Sequence, residues 1–336
     1  RVASRGLGDV YKRQDPNHYV IFEHLGDDNE EREWANYRLG EGKGIMMWGK
    51  MTNPYNQLSM GFGSDASIER MRSESREFNG KRLVGYAESH DEERLMYRNL
   101  QYGNSANSNH NVKNLNTALS RMSAIGAVIL LVPGPKMIWH FGELGMQQSL
   151  DTCPDGTVDD CRLDTKPQLQ WDENWLNVSQ RKQIYDDWSI LNSLKTNNDV
   201  FKASSAISPY NNNNLLQRIY IWNDNLSNIL LKNVVILANF DVNTQIIPAG
   251  FPYIGTWYDL MDNTAFEVGN TNQEISLNPG EFRVFGNQQA TFSVSNDNQL
   301  RGLQLVKNPV HDRIQIQTPS TPVSYTHLTL PTMFEV

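Results

Sequence analysis

The sequence predicts an α/β protein in which parallel βα units are followed by an antiparallel, all-β C-terminal domain. Short apolar runs alternate with longer amphipathic stretches through the first two-thirds of the 336 residues, the rhythm of βα units. From about residue 199 the rhythm changes to short strands separated by Asn, Asp, Gly and Pro, the pattern of an antiparallel domain. Two of the early apolar runs also stop abruptly in acids, at Glu23 and at His90-Asp91.

In chain order, HYVIFE (18–23) reads as a strand, NEEREWANYRL (29–39) as a helix and GIMMW (44–48) as a strand. SIERMRSESRE (67–77) reads as a helix and KRLVGYAESH (81–90) as a strand. Residues 111–132 carry Val112, Leu115, Leu119, Met122 and Ile125 at helical spacing, which predicts a helix facing a sheet. Pro-Gly-Pro then punctuates PGPKMIWHFGELG (133–145), predicted as another strand, and residues 178–196 give another helix. These βα units are assigned to residues 15–198. LLQRIYIWND, NVVILANFD, GTWYDLM and EISLNPGEFRVF predict a β-sandwich over 199–287, with 288–302 as a polar linker and 303–322 as the start of a further segment.

The two ends do not read as folded protein. Residues 4–14, SRGLGDVYKRQ, translate a DNA string that resembles a transposase-type sequencing adapter, and residues 323–332, VSYTHLTLPT, begin in its inverted copy. Residues 1–14 and 323–336 are therefore read as adapter-derived scars and set aside, as a tag would be. On this reading the natural polypeptide is a fragment.

A net charge of −8 makes the chain a poor electrostatic partner for nucleic acid or an anionic membrane. Its 39% hydrophobic content is enough for a core of domain size, and no apolar run is long enough for a transmembrane segment. Cys153 and Cys161 sit in DTCPDGTVDDCRLD, a loop rich in Asp. Close spacing in such a loop suits a disulfide, whereas two cysteines without nearby histidines make a poor zinc site. A disulfide points outside the cytoplasm.

The acids carry the chemistry. Glu23 ends one predicted strand, and His90 and Asp91 end another. At the C-terminal ends of parallel barrel strands, carboxylates converge on an active-site face. Paired carboxylates there suit glycoside hydrolysis: one acid protonates the leaving oxygen, and carboxylates stabilise the oxocarbenium-like charge. An acid that stays protonated near neutral pH needs an apolar setting, which Val20, Ile21 and Phe22 are expected to provide.

VIFEHLGDDNEEREWANY, GIMMWGKMTNPYN, YAESHDEERLMY and PGPKMIWHFGELG, in that order, resemble the second half of a secreted bacterial α-amylase of the large retaining (β/α)8 glycoside hydrolase family, a glycoside hydrolase family 13-type TIM barrel. The resemblance covers roughly residues 15–290. It implies that Glu23 is the general acid/base, that Asp91 stabilises the transition state, and that His90 binds the sugar in the cleavage subsite. Ser89 departs from the asparagine that usually precedes His-Asp. RLDTKPQLQW (162–171) is similar to the family's Arg…Pro…Trp loop, so Arg162 and Trp171 join the candidate substrate-binding residues, with Trp171 placed to stack on a sugar. His24 has two readings, structural or substrate-binding. Glu143 is expected to orient a loop, and Trp48, Trp139 and Trp175 to pack.

The same resemblance implies about four βα units, the fifth to eighth. The nucleophilic aspartate, its nearby arginine and most calcium ligands would then lie outside this sequence. The residues present need no cofactor or metal, while Ca2+ is implied for a full-length parent. The fragment alone is expected to be inactive, because retention needs a nucleophile as well as an acid. The implied partner is an α-glucan polysaccharide or oligosaccharide cleaved at α-1,4 bonds. A non-catalytic starch-binding barrel protein and an α-glucan transferase remain alternatives. LVKNPVHDRIQIQ resembles the start of the C-terminal sorting domain read by type IX secretion machinery, which implies a bacterial cell-surface or extracellular location.

Overall fold

The computed structural model describes residues 19–24, 26–42, 45–162, 173–213 and 215–292, with the pairs 304–305 and 316–317. The predicted adapter-derived ends, most of the sorting segment and Trp171 lie outside the described residues.

Three short strands, β1 (Ile21–Phe22), β2 (Met46–Trp48) and β3 (Leu83–Val84), form a parallel sheet in that order, with Ile21 opposite Met46 and Met47 opposite Leu83. A single parallel bridge from Gly85 to Lys136 extends the sheet beyond β3. The strand expected across 133–145 is reduced to that bridge. Pro133 and Pro135 have no N–H to give a ladder, and Phe141 takes a left-handed turn at φ 61°.

Helix α1 (Asp28–Asn36) begins where Asp27 caps the amides of Asn29 and Glu30, and Asp28, Glu30 and Glu31 place negative charge on its positive end. Trp34 and Ala35 on its inner face pack with Val20, Phe22, Met47 and Leu83. Helices α2 (Thr52–Met60) and α3 (Leu95–Tyr102) follow β2 and β3, neither of them anticipated from periodicity. Gly61 ends α2 with φ 84°, the left-handed cap that glycine adopts without cost.

The helix predicted over 67–77 is instead two 3-10 turns, Glu69–Met71 and Glu74–Arg76, separated by an extended Arg72. The cause is Arg76. Its buried guanidinium donates to the Arg70 and Gly49 carbonyls and pairs with Glu31, tying the second turn back against the first.

The single helix predicted over 111–132 is divided into α4 (Leu115–Ser120) and α5 (Met122–Leu130). At Arg121 the ladder tightens, its N–H donating to the Ala118 carbonyl three residues back. Every residue of α5 is buried, because α6 (Ser179–Asn197) packs against it and it also lies on the large β-sheet.

That sheet has six strands: β4 (Ala206–Asn213), β5 (Leu216–Trp222), β6 (Asn233–Asn239), β8 (Gly255–Asp259), β9 (Thr264–Val268) and β11 (Phe282–Gly286), in the order β4-β5-β6-β11-β8-β9. An antiparallel ribbon of β7 (Gln245–Pro248) and β10 (Glu274–Leu277) accompanies it. All seven residues of β6 are buried. Val234, Ile236 and Ala238 face the helices, while Val235 and Leu237 pack with Ile247, Leu277, Trp257 and Phe285. One core therefore runs continuously from α5 and α6 into the sheet, with Val200 and Phe201 inside it at the predicted domain boundary. Residues 304–305 and 316–317 form a separate two-stranded antiparallel pair.

Candidate active site

Parallel strands deliver their C-terminal ends to one side of the sheet, and three segments meet there: the residues after β1, after β2 and after β3. Glu23 follows β1 directly. Nε2 of His90 lies 3.3 Å from Oε1 of Glu23 and 3.4 Å from Oδ2 of Asp91, so one imidazole nitrogen bridges two carboxylates. One ligand atom from each of the three residues falls within 4.8 Å of the others, close enough to share a cation. Trp48 and Trp139 flank the imidazole, with ring centroids 6.2 and 6.1 Å away.

The apolar setting expected for Glu23 is not what surrounds it. Its side chain is 40% exposed, and Ile21 is 48% exposed. Strand alternation gives the reason: Val20 and Phe22 turn to the Trp34 cluster, so Ile21 and Glu23 share the opposite face. Among the described residues β1 is also an edge strand, hydrogen-bonded only to β2.

His24 is fully engaged by its own loop. Nδ1 accepts from Gly26 N at 3.2 Å and Nε2 lies 3.3 Å from a Glu30 carboxylate oxygen, which leaves neither ring nitrogen free. The geometry is that of a loop cap. Lys50 fixes the same loop: its ammonium donates to the Gly26 carbonyl at 2.9 Å and pairs at 2.6 Å with the buried Glu31.

Arg162 braces the other side, donating to the Asp91 carbonyl at 2.7 Å and lying 3.8 Å from carboxylate oxygens of both Asp91 and Asp151. It contacts Asp91 through the backbone as well as the side chain. Cys153 and Cys161 are joined by a disulfide, their Cα atoms 5.0 Å apart, so Arg162 follows directly on a cross-linked loop. Ser89 donates to the Glu92 carboxylate and accepts from Asp91 N at 3.3 Å, closing a tight turn under His90.

Sequence reasoning did not single out Glu88, which is 6% exposed. Burial pushes its carboxyl up, with Arg94 and the Leu95 N–H acting in opposition. The signal was a carboxylate that directly ends the apolar run Leu83–Ala87, two residues before His90. Tyr86 is likewise raised by burial and by Glu92, and its hydroxyl accepts from Lys50 N at 3.4 Å. Trp48 and Trp139, read as packing residues, border the site. Glu143 occupies the 3-10 turn Gly142–Leu144 and acts electrostatically on Glu88 and Arg94.

No protein-family model matches the chain, and no curated protein matches its sequence. Solved structures do. A pullulanase from Anoxybacillus sp. LM18-11, complexed with maltotetraose, matches with a TM-score of 0.57 and 13% identity over 84% of this chain and 41% of its own. AmyP in complex with maltose matches with a TM-score of 0.56 and 13% identity, covering 82% of this chain and 56% of its own. The alpha-amylase of Geobacillus thermoleovorans, complexed with acarbose, gives a TM-score of 0.56 at 13% identity, covering 84% of this chain and 56% of its own. The chain thus spans between 41% and 56% of the length of these structures. Its fold, α/β with an antiparallel sheet, is similar to that of alpha-amylases and a pullulanase over part of their length.

Proposed function

We propose that this chain is part of an α-glucan hydrolase that cleaves α-1,4-glucosidic bonds with retention. The observation that carries the reading is the convergence of Glu23, His90 and Asp91 within 3.4 Å contacts at the C-terminal ends of parallel strands. In this reading Glu23 gives a proton to the glycosidic oxygen as the bond breaks, then takes one from the water that completes hydrolysis. Asp91 faces the positive charge that develops on the sugar ring, and His90 donates to a sugar hydroxyl. Trp48 and Trp139 supply apolar walls.

Retention requires a nucleophilic carboxylate roughly 5 Å from the acid. In this proposal it comes from polypeptide that pairs with the edge of β1 left unpaired among the described residues, where it would also enclose Glu23. The chain by itself then binds glucan weakly and does not turn it over. The disulfide suits an oxidising compartment, which supports export of the enzyme.

Calorimetric titration of the chain with maltotriose or acarbose tests the site. Binding that disappears in both His90→Ala and Asp91→Ala supports it, and binding unchanged in both removes Asp91 and His90 from it.

A further inference from the structure

The turn carrying His90 and Asp91 spans Ser89 to Arg94, between the extended segment after β3 and the first residue of α3. Its closure is specific. Glu88, the residue before the turn, sends Oε1 across the base to accept from Leu95 N at 2.8 Å, the first amide of α3. That amide is one of the helix's unsatisfied donors, and a carboxylate there also meets the positive end of the helix dipole. The other oxygen of Glu88 lies 3.5 Å from Arg94, the last residue of the turn.

Arg94 extends the arrangement sideways. Its side chain is 1% exposed. One guanidinium nitrogen donates to the His140 carbonyl at 3.0 Å, and the other lies 3.3 Å from His140 Nε2. His140 packs at 4.8 Å on Trp139, which is one wall of the His90 ring. Gly142 leaves room for the clamp, since a Cβ there would lie 2.8 Å from the second Glu88 oxygen. Glu93 ties the turn outward, accepting from Arg94 N and Leu150 N, each at 2.9 Å, and from the Ser149 hydroxyl at 2.5 Å.

We propose that Glu88 and Arg94 are positioning residues for the α-glucan site: Glu88 closes the base of the His90–Asp91 turn, and Arg94 locks that turn to the Trp139–His140 wall. The assignment rests on the reading of His90 and Asp91 as sugar-site residues, but its geometry does not. Neither Glu88 nor Arg94 needs to touch substrate. An apolar pair of similar shape would fill the same volume, but it would not hold the Leu95 amide and the His140 carbonyl together. A purely packing role for Glu88 would therefore survive its replacement by leucine, whereas the clamp would not.

The test uses the chain labelled at its histidines, read by the ring proton resonances of His90 and His140 and by hydrogen exchange at the Leu95 amide. Glu88→Ala and Glu88→Leu are expected to move both histidine resonances and to speed Leu95 exchange by at least about tenfold, the factor set by losing a hydrogen bond to a charged group. Glu88→Gln keeps an acceptor and is expected to restore Leu95 to within about threefold of wild type. Arg94→Lys should move His140 and leave Leu95 protected. Exchange in β6 reports whether each variant remains folded; if the alanine and leucine variants unfold, the glutamine and lysine variants decide. Unmoved histidines with a protected Leu95 in Glu88→Leu would overturn the clamp, as would His140 unmoved in Arg94→Lys. None of these readouts depends on turnover. Glucan binding that persists in Glu88→Leu while both histidine resonances move would instead count against the sugar-site reading.

Discussion

Oε1 of Glu23 lies 3.3 Å from Nε2 of His90, although the two residues come from segments that follow β1 and β3, strands that are not neighbours in the sheet. β2 separates them, and its last residue, Trp48, forms one wall beside the His90 ring. Side chains from two strand ends thus meet over the end of a third.

Arg121 holds the helical part to the β-domain and should dominate its stability. Its guanidinium, essentially unexposed, donates to the carbonyls of Leu58, Ser59, Phe240 and Asp241 and faces His110 Nε2 at 3.1 Å. Arg121→Met removes the guanidinium donor from all four carbonyls, of which Leu58 keeps the Gly61 N–H, and should cost about 3 kcal/mol or more in urea-denaturation measurements. A loss below about 1 kcal/mol would show that water replaces the guanidinium.

The same contact sets an acid limit. Burial and the neighbouring Arg121 push His110 down to about 4 from its ordinary 6.5. The unfolded chain then binds more protons than the folded chain between these values, so stability is fully present above pH 6.5 and falls as pH drops toward 4. Thermal unfolding at pH 7 and pH 5 should show the loss, and His110→Gln should flatten the part of the slope due to this group.

Lys195 acts on the alkaline side. Burial, with a contribution from Lys202, lowers it to about 7, and its ammonium donates to the Val132 carbonyl at 2.6 Å. Between pH 7 and 10.5 the unfolded chain holds the extra proton, so stability should rise with pH across that window. Lys195→Met should stabilise the chain more at pH 7 than at pH 10; an equal effect at both would deny the lysine this titration.

Gly126 on α5 is set against Trp188 of α6, whose indole N–H donates to the Met122 carbonyl at 3.0 Å. A Cβ at Gly126 would collide with the indole. Gly126→Ala should destabilise by about 1–3 kcal/mol despite alanine's better helix propensity, with chemical denaturation as the measure.

Much of this arrangement was legible in the residues. The strand before Glu23, the α1 and α6 helices and the short-strand pattern after residue 199 all follow from periodicity and turn residues, while the strand expected over 81–90 is shortened to Leu83–Val84 with a bridge at Gly85. The exceptions have local causes. Residues 67–77 carry helical spacing, yet the Arg76 guanidinium binds main-chain carbonyls and breaks the segment into two turns. Arg121 divides a continuous periodic run for the same reason. Periodicity records which faces are apolar; it does not record where one long side chain will find its acceptors. At the site, Glu23, His90 and Asp91 were visible as charges ending apolar runs, whereas the role of Glu88 depended on Leu95 and Arg94 folding back onto it. His24 had two readings in sequence, structural or substrate-binding, and its contacts with Gly26 and Glu30 are those of a loop cap.

In the proposed function Glu23 is the acid/base of an α-glucan hydrolase. Reducing-sugar release from soluble starch by the natural polypeptide carrying this chain, beside its Glu23→Gln variant, tests it most directly. The account predicts release by the parent and a loss of about 10²-fold or more in the variant. A parent that binds starch without cleaving it, or a variant as active as the parent, would contradict it.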